Sequence, residues 1–580
     1  MQHYQVRHWE VKMNIYKSGI VYTQNGIQQA FVTDGGRFVY VGDEEGAMAY
    51  EGNVIDLQGR FVCAGFNDSH MHLLNFGYTL CCADLSKCTK SISQLIETFR
   101  LWKEEQSDEQ QWLWGRGFNQ DYFQDEHRML NRYDLDKVDN TKPVVAVRAC
   151  GHICVVNTKA LEVLGLKKHP QVEGGFVDVD SKGQLLGIFR DNAMRLVYNQ
   201  MPAFSVKEVK DMLKQAAQTV NRYGVTSVQT DDFAAFPSTS WQTVVKAYEE
   251  LRKENQLTVR VSEQCCLDKL EMIPEFIEQC WIPYQENGNQ ALNEKNEKAD
   301  CSWFKPGSLK IVGDGSLGAR TAYMLKSYND DETAKGIKLY ETEELAAMIR
   351  LAHNNKMPVC IHAIGDGMME MVLDAYEAVL LKELQFNNEK EGCGKNSFDH
   401  RCGVVHCQIM RPEHYRRFQK LGLHAYIQSI FLDYDIRIVE QRVGKNVAKT
   451  SYNFKRFLDM GISLSNGSDC PVELPDVMKG IQCAVTRKSL DGVWGPYLPD
   501  QALTVKEALD SYTIGGAYAS FEENQKGDIK EGMLADFVIL GENPFEVESN
   551  AISDIPVLET WVNGTCVYKN GSVHVVKKKR

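Results

Sequence analysis

The stretch Gly65-Phe66-Asn67-Asp68-Ser69-His70-Met71-His72 follows the apolar run Phe61-Val62-Cys63-Ala64 and opens the long middle of the chain. In an extended segment, residues i and i+2 face the same side. His70 and His72 therefore project together and are candidate ligands for one metal ion. Two histidines at this spacing also occur as ordinary surface or core residues, so the rest of the chain has to decide. Short β-branched or apolar runs recur at 61–66, 225–229, 308–312, 358–361, 403–405, 424–428 and 463–466. Amphipathic helical patterns, such as 342–354 and 368–381, lie between them. Strands alternating with helices predict a parallel sheet with helices outside it. The expected fold is α/β, a (β/α)8 TIM-type barrel, with one strand still to be found.

Ionisable or amide side chains interrupt the apolar strands at a few places. They are Lys310 in Leu309-Lys310-Ile311, His362 in Val359-Cys360-Ile361-His362, His406 in Val404-Val405-His406, Gln428 in Tyr426-Ile427-Gln428, and Asp469 after Leu464-Ser465-Asn466. Such groups are costly inside a strand unless paired or coordinated. In a barrel, the C-terminal strand ends meet at one mouth. Four histidines, a carboxylate and a lysine are thus expected to converge there. Histidine and carboxylate suit a divalent metal, zinc first, with iron, manganese, nickel and cobalt also compatible.

Outward from the barrel, both ends of the chain read as short strands. The N-terminal runs 15–22, 29–32 and 37–41 are broken by turn signals at Asn25-Gly26 and Gly35-Gly36. The C-terminal runs 535–540, 557–562 and 565–569 are broken at Asn563-Gly564. Residues 1–62 plus 520–580 are therefore expected to form one composite β-sandwich, and 63–519 the barrel. A barrel needs about 250 residues. The surplus predicts an inserted α+β subdomain at about 85–215, holding the aromatic cluster Trp114, Phe118, Tyr122 and Phe123, either a lid or the insertion's own core. Smaller insertions are expected at about 281–299 and 389–400.

The 65 Lys and Arg against 78 Asp and Glu give a net charge of −13 in 580 residues. That balance argues against nucleic-acid binding. No apolar run approaches the roughly 18–20 residues of a membrane span, and none resembles a signal core. Translation from Met13 rather than Met1 would leave all of the patterned sequence in place. The 17 cysteines lack framework spacing and read as reduced core thiols, so a cytoplasmic location is expected.

Taken together, these motifs resemble the amidohydrolase superfamily. Trp114-Gly115-Arg116-Gly117-Phe118-Asn119, Gly313-Asp314-Gly315-Ser316-Leu317-Gly318-Ala319-Arg320, His362-Ala363-Ile364-Gly365-Asp366 and Gly467-Ser468-Asp469-Cys470-Pro471 narrow the resemblance. They are similar to the branch that includes N-substituted formamide deformylase. The resemblance implies a metal-dependent hydrolase of a non-peptide, amide-like C–N bond. It implies that His70 and His72 bind one ion with Asp469, that His362 and His406 bind a second, and that Lys310 bridges them as a carbamate formed with carbon dioxide. A one-ion site with unmodified Lys310, paired to Asp314 or Asp231, remains an alternative. Asp469 is the implied proton shuttle. His152, Arg320 and Gln428 are candidate substrate contacts, and Arg320 could equally hold its own loop. The expected partner is a small-molecule substrate, with neither nucleic acid nor membrane. Barrels of this class often pair, so a homodimer is the expected assembly. Ester, lactone or phosphoester hydrolysis on the same site, or a non-catalytic small-molecule-binding regulator, are the competing readings.

Overall fold

The computed structural model describes residues 13–571, except 107–110, 125, 127, 150–152, 173–174, 268–269, 287–302 and 389–398, and except the side chains of 382–388. His152, the segment 1–12 and most of the two smaller candidate insertions lie outside the described residues.

Eight strands form one sheet in which each pairs with the next in chain order. They are β1 (Phe66–Met71), β2 (Val225–Thr230), β3 (Arg260–Cys266), β4 (Phe304–Val312), β5 (Val359–Ala363), β6 (Gly403–His406), β7 (His424–Ile427) and β8 (Leu464–Asn466). All seven pairings are parallel. Parallel neighbours need long crossovers, and helices such as Thr342–Asn354 and Pro412–Leu421 supply them. The ring closes just beyond β8, where Asp469 N donates to His70 O at 2.8 Å and His72 N to Cys470 O at 2.7 Å. The barrel expected from the alternation of strands and helices is thus present.

Two details differ from the sequence reading. The run 61–66 is not one barrel strand. Phe61–Ala64 pairs with Ile20–Thr23 and Phe537–Leu540 in another sheet, and only from Phe66 does the chain join the barrel. Gly65 makes the change of direction, and a Cβ there would fall 2.2 Å from Thr226 Oγ1. The strand that the sequence hid is β3, Arg260-Val261-Ser262-Glu263-Gln264-Cys265-Cys266. Its polar residues obscure the apolar signal, yet each of the three largest is buried with a partner. Arg260 pairs with Asp536, Glu263 accepts from Asp232 N at 2.7 Å, and Gln264 reaches the β1 backbone.

Strands from both ends of the chain share a six-stranded sheet, in the order Thr565–Lys569, Val557–Val562, Phe537–Leu540, Phe61–Ala64, Ile20–Thr23, Gly26–Gln28. A four-stranded sheet runs Arg37–Gly42, Ala30–Asp34, Asn14–Lys17, Asn53–Asp56. One apolar cluster includes residues of both sheets, among them Tyr16, Phe31, Phe38, Val62, Phe537 and Ile539. Tyr16 stacks on Phe31 at 4.4 Å between ring centroids. Arg260 is 1% exposed and doubly bonded to Asp536, at 2.5 and 3.0 Å. Breaking a buried pair leaves one charge unpaired, at a cost of about 3–5 kcal/mol. Arg260→Met is expected to lose that much stability in a denaturant titration, and Arg260→Met with Asp536→Leu much less.

A second compact unit comprises Leu74–Ala216 and Phe233–Ala247. Its sheet has six strands, in the order Gly175–Val179, Leu185–Asp191, Ile153–Val156, Val144–Arg148, Leu113–Phe118, Ala83–Asp84. Phe118 and Phe123 belong to one of its apolar clusters and Trp114 to another, while Tyr122 is exposed. Trp114 and Phe118 would share a face by strict alternation. The register shift between Arg116 and Phe118 separates them. Among the described residues, no helix is long and apolar enough to cross a membrane, and the cysteines are free thiols.

Candidate active site

His70 and His72 leave the C-terminal end of β1 side by side, their ring centroids 5.3 Å apart. Asp469 arrives from the end of β8. Its Oδ1 lies 3.2 Å from His70 Nε2 and 3.0 Å from His72 Nε2. The far nitrogen of each ring is already engaged. His70 Nδ1 lies 2.6 Å from the Gln264 carbonyl oxygen, and His72 Nδ1 contacts Asp231 Oδ1. An acceptor at one ring nitrogen keeps the proton there and leaves the other nitrogen to bind a metal. Below them, buried Asp68 accepts from His70 N, Ser468 N and Ser468 Oγ, at 3.3, 3.0 and 2.5 Å. It ties the end of β8 to β1 and so sets where Asp469 stands.

Lys310, on β4, points into the same space. Its Nζ lies 3.0 Å from Asp231 Oδ2 and 3.4 Å from His70 Nε2. Burial opposes its charge, but Asp231 outweighs burial and raises the lysine pKa. His72 is governed by the same balance. Burial lowers its pKa, yet Asp231 and Asp469 carry it up to about 10. His70 moves the other way, lowered by burial and by Lys310. Asp469 is held well below the usual carboxylate range, because bonds from His70 and His72 overcome burial. Two carboxylates around one imidazole make a place that calls for positive charge, which is the electrostatic requirement of a cation site.

The second half of the site comes from β5 and β6. The His362 and His406 rings are 4.3 Å apart, and His70 and His406 are 5.6 Å apart. His406 Nδ1 lies 2.8 Å from the Gln428 carbonyl oxygen. His362 Nε2 lies 3.2 Å from Gly315 O and 3.3 Å from Asp314 Oδ1. Each ring again has one nitrogen anchored and one available. His406 is pushed well below its usual pKa by burial and by neighbouring His362, which keeps it neutral. His406 and Asp469 hold left-handed backbone, at φ 80° and 58°. Such strain outside glycine collects where function needs a side chain aimed. His70, His72 and Asp231 form one group of ligand atoms able to surround an ion, and His70, His406 and Asp469 another.

All six proposed ligand positions therefore meet at one mouth. Gln428 meets them through His406, so its carbonyl is already occupied. Arg320 stands apart. It donates to Asp330 at 3.0 and 3.1 Å, and Arg442 grips the same carboxylate and Gly318 O. A substrate carboxylate at Arg320 would have to displace Asp330. The side chains that the sequence reading did not assign are Asp68 and Gln264; it named Asp231 only as a pairing partner for Lys310. Asp231 could have been found as a carboxylate just past the end of β2. Gln264 lay in the unrecognised strand. Gln264→Leu removes the acceptor that orients His70. It is expected to weaken metal binding about 10–100-fold in a competition titration with a zinc chelator.

A sequence model of the amidohydrolase family matches residues 53–568. This chain belongs to the amidohydrolase family. The amidohydrolase is 30% identical over 564 residues to YtcJ of Bacillus subtilis, itself named as an amidohydrolase, covering 96% of this chain and 99% of that one. It is 24% identical over 562 residues to the N-substituted formamide deformylase of Arthrobacter pascens, covering 94% and 96%. A crystal structure of an uncharacterized metal-dependent hydrolase from Pyrococcus horikoshii OT3 matches with a TM-score of 0.74 and 26% identity, over 93% of this chain and 99% of that one. The amidohydrolase thus shares fold and family with proteins along almost its full length.

Proposed function

We propose that this amidohydrolase is a metal-dependent enzyme that uses water to cleave the C–N bond of a small, non-peptide amide. The observation that carries the reading is that Asp469 Oδ1 stands 3.2 Å from His70 Nε2 and 3.0 Å from His72 Nε2, with the far nitrogen of each ring anchored. These three residues would hold one divalent ion, zinc first, and His362 with His406 would hold a second. A divalent cation bound there lowers the pKa of water toward neutrality and draws electrons from a carbonyl. Asp469 does the proton work. Its carboxylate accepts a proton from the attacking water and gives it to the departing nitrogen as the C–N bond breaks. Gln264, Asp231 and Gln428 keep the histidine rings turned. Lys310 stands between His70 and Asp231, and a carbamate on its Nζ would supply anionic oxygen ligands. In the metal-free chain, Asp231 holds it as an ammonium, so it must lose a proton when the modification forms. The amide class is supported by the likeness to N-substituted formamide deformylase. Free buried thiols support work in a reducing compartment such as the cytoplasm.

The test combines three measurements on protein purified without chelators: metal content, the mass of the Lys310 peptide under carbonate-preserving conditions, and turnover of N-substituted formamides and N-acyl amines. About two ions per chain, the added mass of carbon dioxide on Lys310 and release of free amine are expected. One ion with unmodified Lys310 removes the bridge and keeps the hydrolase. No ion even after reconstitution overturns the reading.

A further inference from the structure

The segments that follow β4 to β8 enclose a cavity of about 180 Å³. Its walls continue directly from the site. Leu317 and Gly318 lie on the loop whose Gly315 carbonyl meets His362. Ile364 follows His362, Gln408 follows His406, and Val472 and Glu473 follow Asp469. The Phe431 ring lies parallel to His406, 6.0 Å between centroids and 15° between planes. A group attached to an amide held at the site would enter this cavity.

Two of its polar groups are carboxyls. Gln408 is only 3% exposed, and its Oε1 lies 3.1 Å from the Tyr452 hydroxyl. The same hydroxyl lies 2.6 Å from Asp435 Oδ2. A phenol has one proton, and the nearer carboxylate is the stronger acceptor. Tyr452 therefore donates to Asp435, and Gln408 turns its Oε1 toward the phenol. Glu473 makes no hydrogen bond or ion pair among the described residues. Asp435 and Glu473 thus bring two carboxyl groups to the cavity. Burial lifts Asp435 to about 6. Burial, with Asp433 and Asp435 nearby, lifts Glu473 to about 7. Among the described residues, no lysine or arginine lines the cavity. Arg437, Arg442 and Lys479 are engaged by Asp491, Asp330 and Asp476. Ser316 and Gly318 also line it, and the other walls are apolar or aromatic, with Leu317, Ile364, Phe431, Tyr434 and Val472. Aromatic faces attract a cation.

We propose that this cavity is the enzyme's substituent subsite, and that it selects amides carrying a protonated amine on a short apolar arm. The selection rests on the hydrolase reading; the binding of the amine does not. An ammonium group supplies both the donors and the positive charge that the two carboxylates require. A carboxylate-bearing arm meets two groups of its own charge. At roughly 30 Å³ per water-sized group, the volume takes an arm of about six non-hydrogen atoms.

The test titrates the metal-loaded full chain with n-butylammonium and with n-butanol by calorimetry, in the wild type, Glu473→Gln and Asp435→Asn. Butylammonium is expected to bind about tenfold or more tighter than butanol, as charge-assisted bonds allow. Each substitution should shrink that ratio, with unfolding temperature and metal content checked alongside. Equal binding of the two probes, or a ratio that survives both substitutions, overturns the subsite. Turnover of two formamides alike but for a terminal ammonium or methyl separates the two claims. Selective binding without hydrolysis of any amide leaves the subsite and removes the hydrolase. Hydrolysis that prefers the methyl-terminated formamide keeps the hydrolase and overturns the subsite.

Discussion

Asp469→Asn is expected to lower kcat/KM by roughly 10³-fold or more, the scale of losing a group that acts in the transition state. The substitution keeps size and shape, and asparagine tolerates the left-handed backbone that Asp469 adopts at φ 58°. The backbone bond from residue 469 to His70 O at 2.8 Å is also kept, so the barrel closes as before. What is lost is an acceptor for the proton. The carboxylate is open to accept it because it stands ionised, with bonds from His70 and His72 outweighing the cost of burial. An amide oxygen can still approach a cation but cannot carry a proton from water to the leaving nitrogen. The decisive comparison is kcat/KM alongside metal content. Turnover within tenfold of the wild type, at equal metal content, would exclude Asp469 as the shuttle.

Stripping the metal with a chelator is expected to abolish turnover and lower thermal stability together. Zinc returned in slight excess should restore both. The stability loss follows from charge. Asp231 and Asp469 are two buried carboxylates that share His72, with His70 and Lys310 beside them, and a bound cation adds to the charge that holds them. A ligand that binds the folded state alone contributes about 4 kcal/mol at a thousandfold excess over Kd. For a chain of this size, that corresponds to a Tm lower by about 3–4 °C. Calorimetric scans of the chelated, native and reconstituted protein measure it. An unchanged Tm with undiminished turnover would mean that these side chains form a structural charge network and that the chemistry lies elsewhere.

The barrel was legible because its strands are buried on both faces and read as apolar runs, so the few ionisable exceptions stood out at their ends. β3 was not legible for the converse reason. Arg260, Glu263 and Gln264 look like a loop until their partners are known, and those partners lie far away in the chain. The break at Gly65 was equally hidden. Phe61-Val62-Cys63-Ala64 and the residues after it are apolar alike, and only a neighbour, Thr226, explains why the chain turns there. Arg320 shows the limit of motif reading. The glycine-rich loop was visible, but the carboxylate of Asp330 that engages its guanidinium was not.

By itself, the sequence determined the family, the barrel, and the six residues that meet at its mouth. Strand periodicity aims His70 and His72 together, and parallel strands bring every C-terminal end to one side. Tertiary structure alone decided which nitrogen of each ring is anchored, that Asp231 stands between His72 and Lys310, and that Asp435, Glu473 and Gln408 share one cavity with Phe431. Those relations depend on barrel closure, which sets His70 beside Gln264 across 194 residues and His72 beside Asp469 across 397. No local pattern encodes a contact at that separation. It exists only once the strands have paired and buried polar groups have had to find partners or leave acceptors facing a ligand.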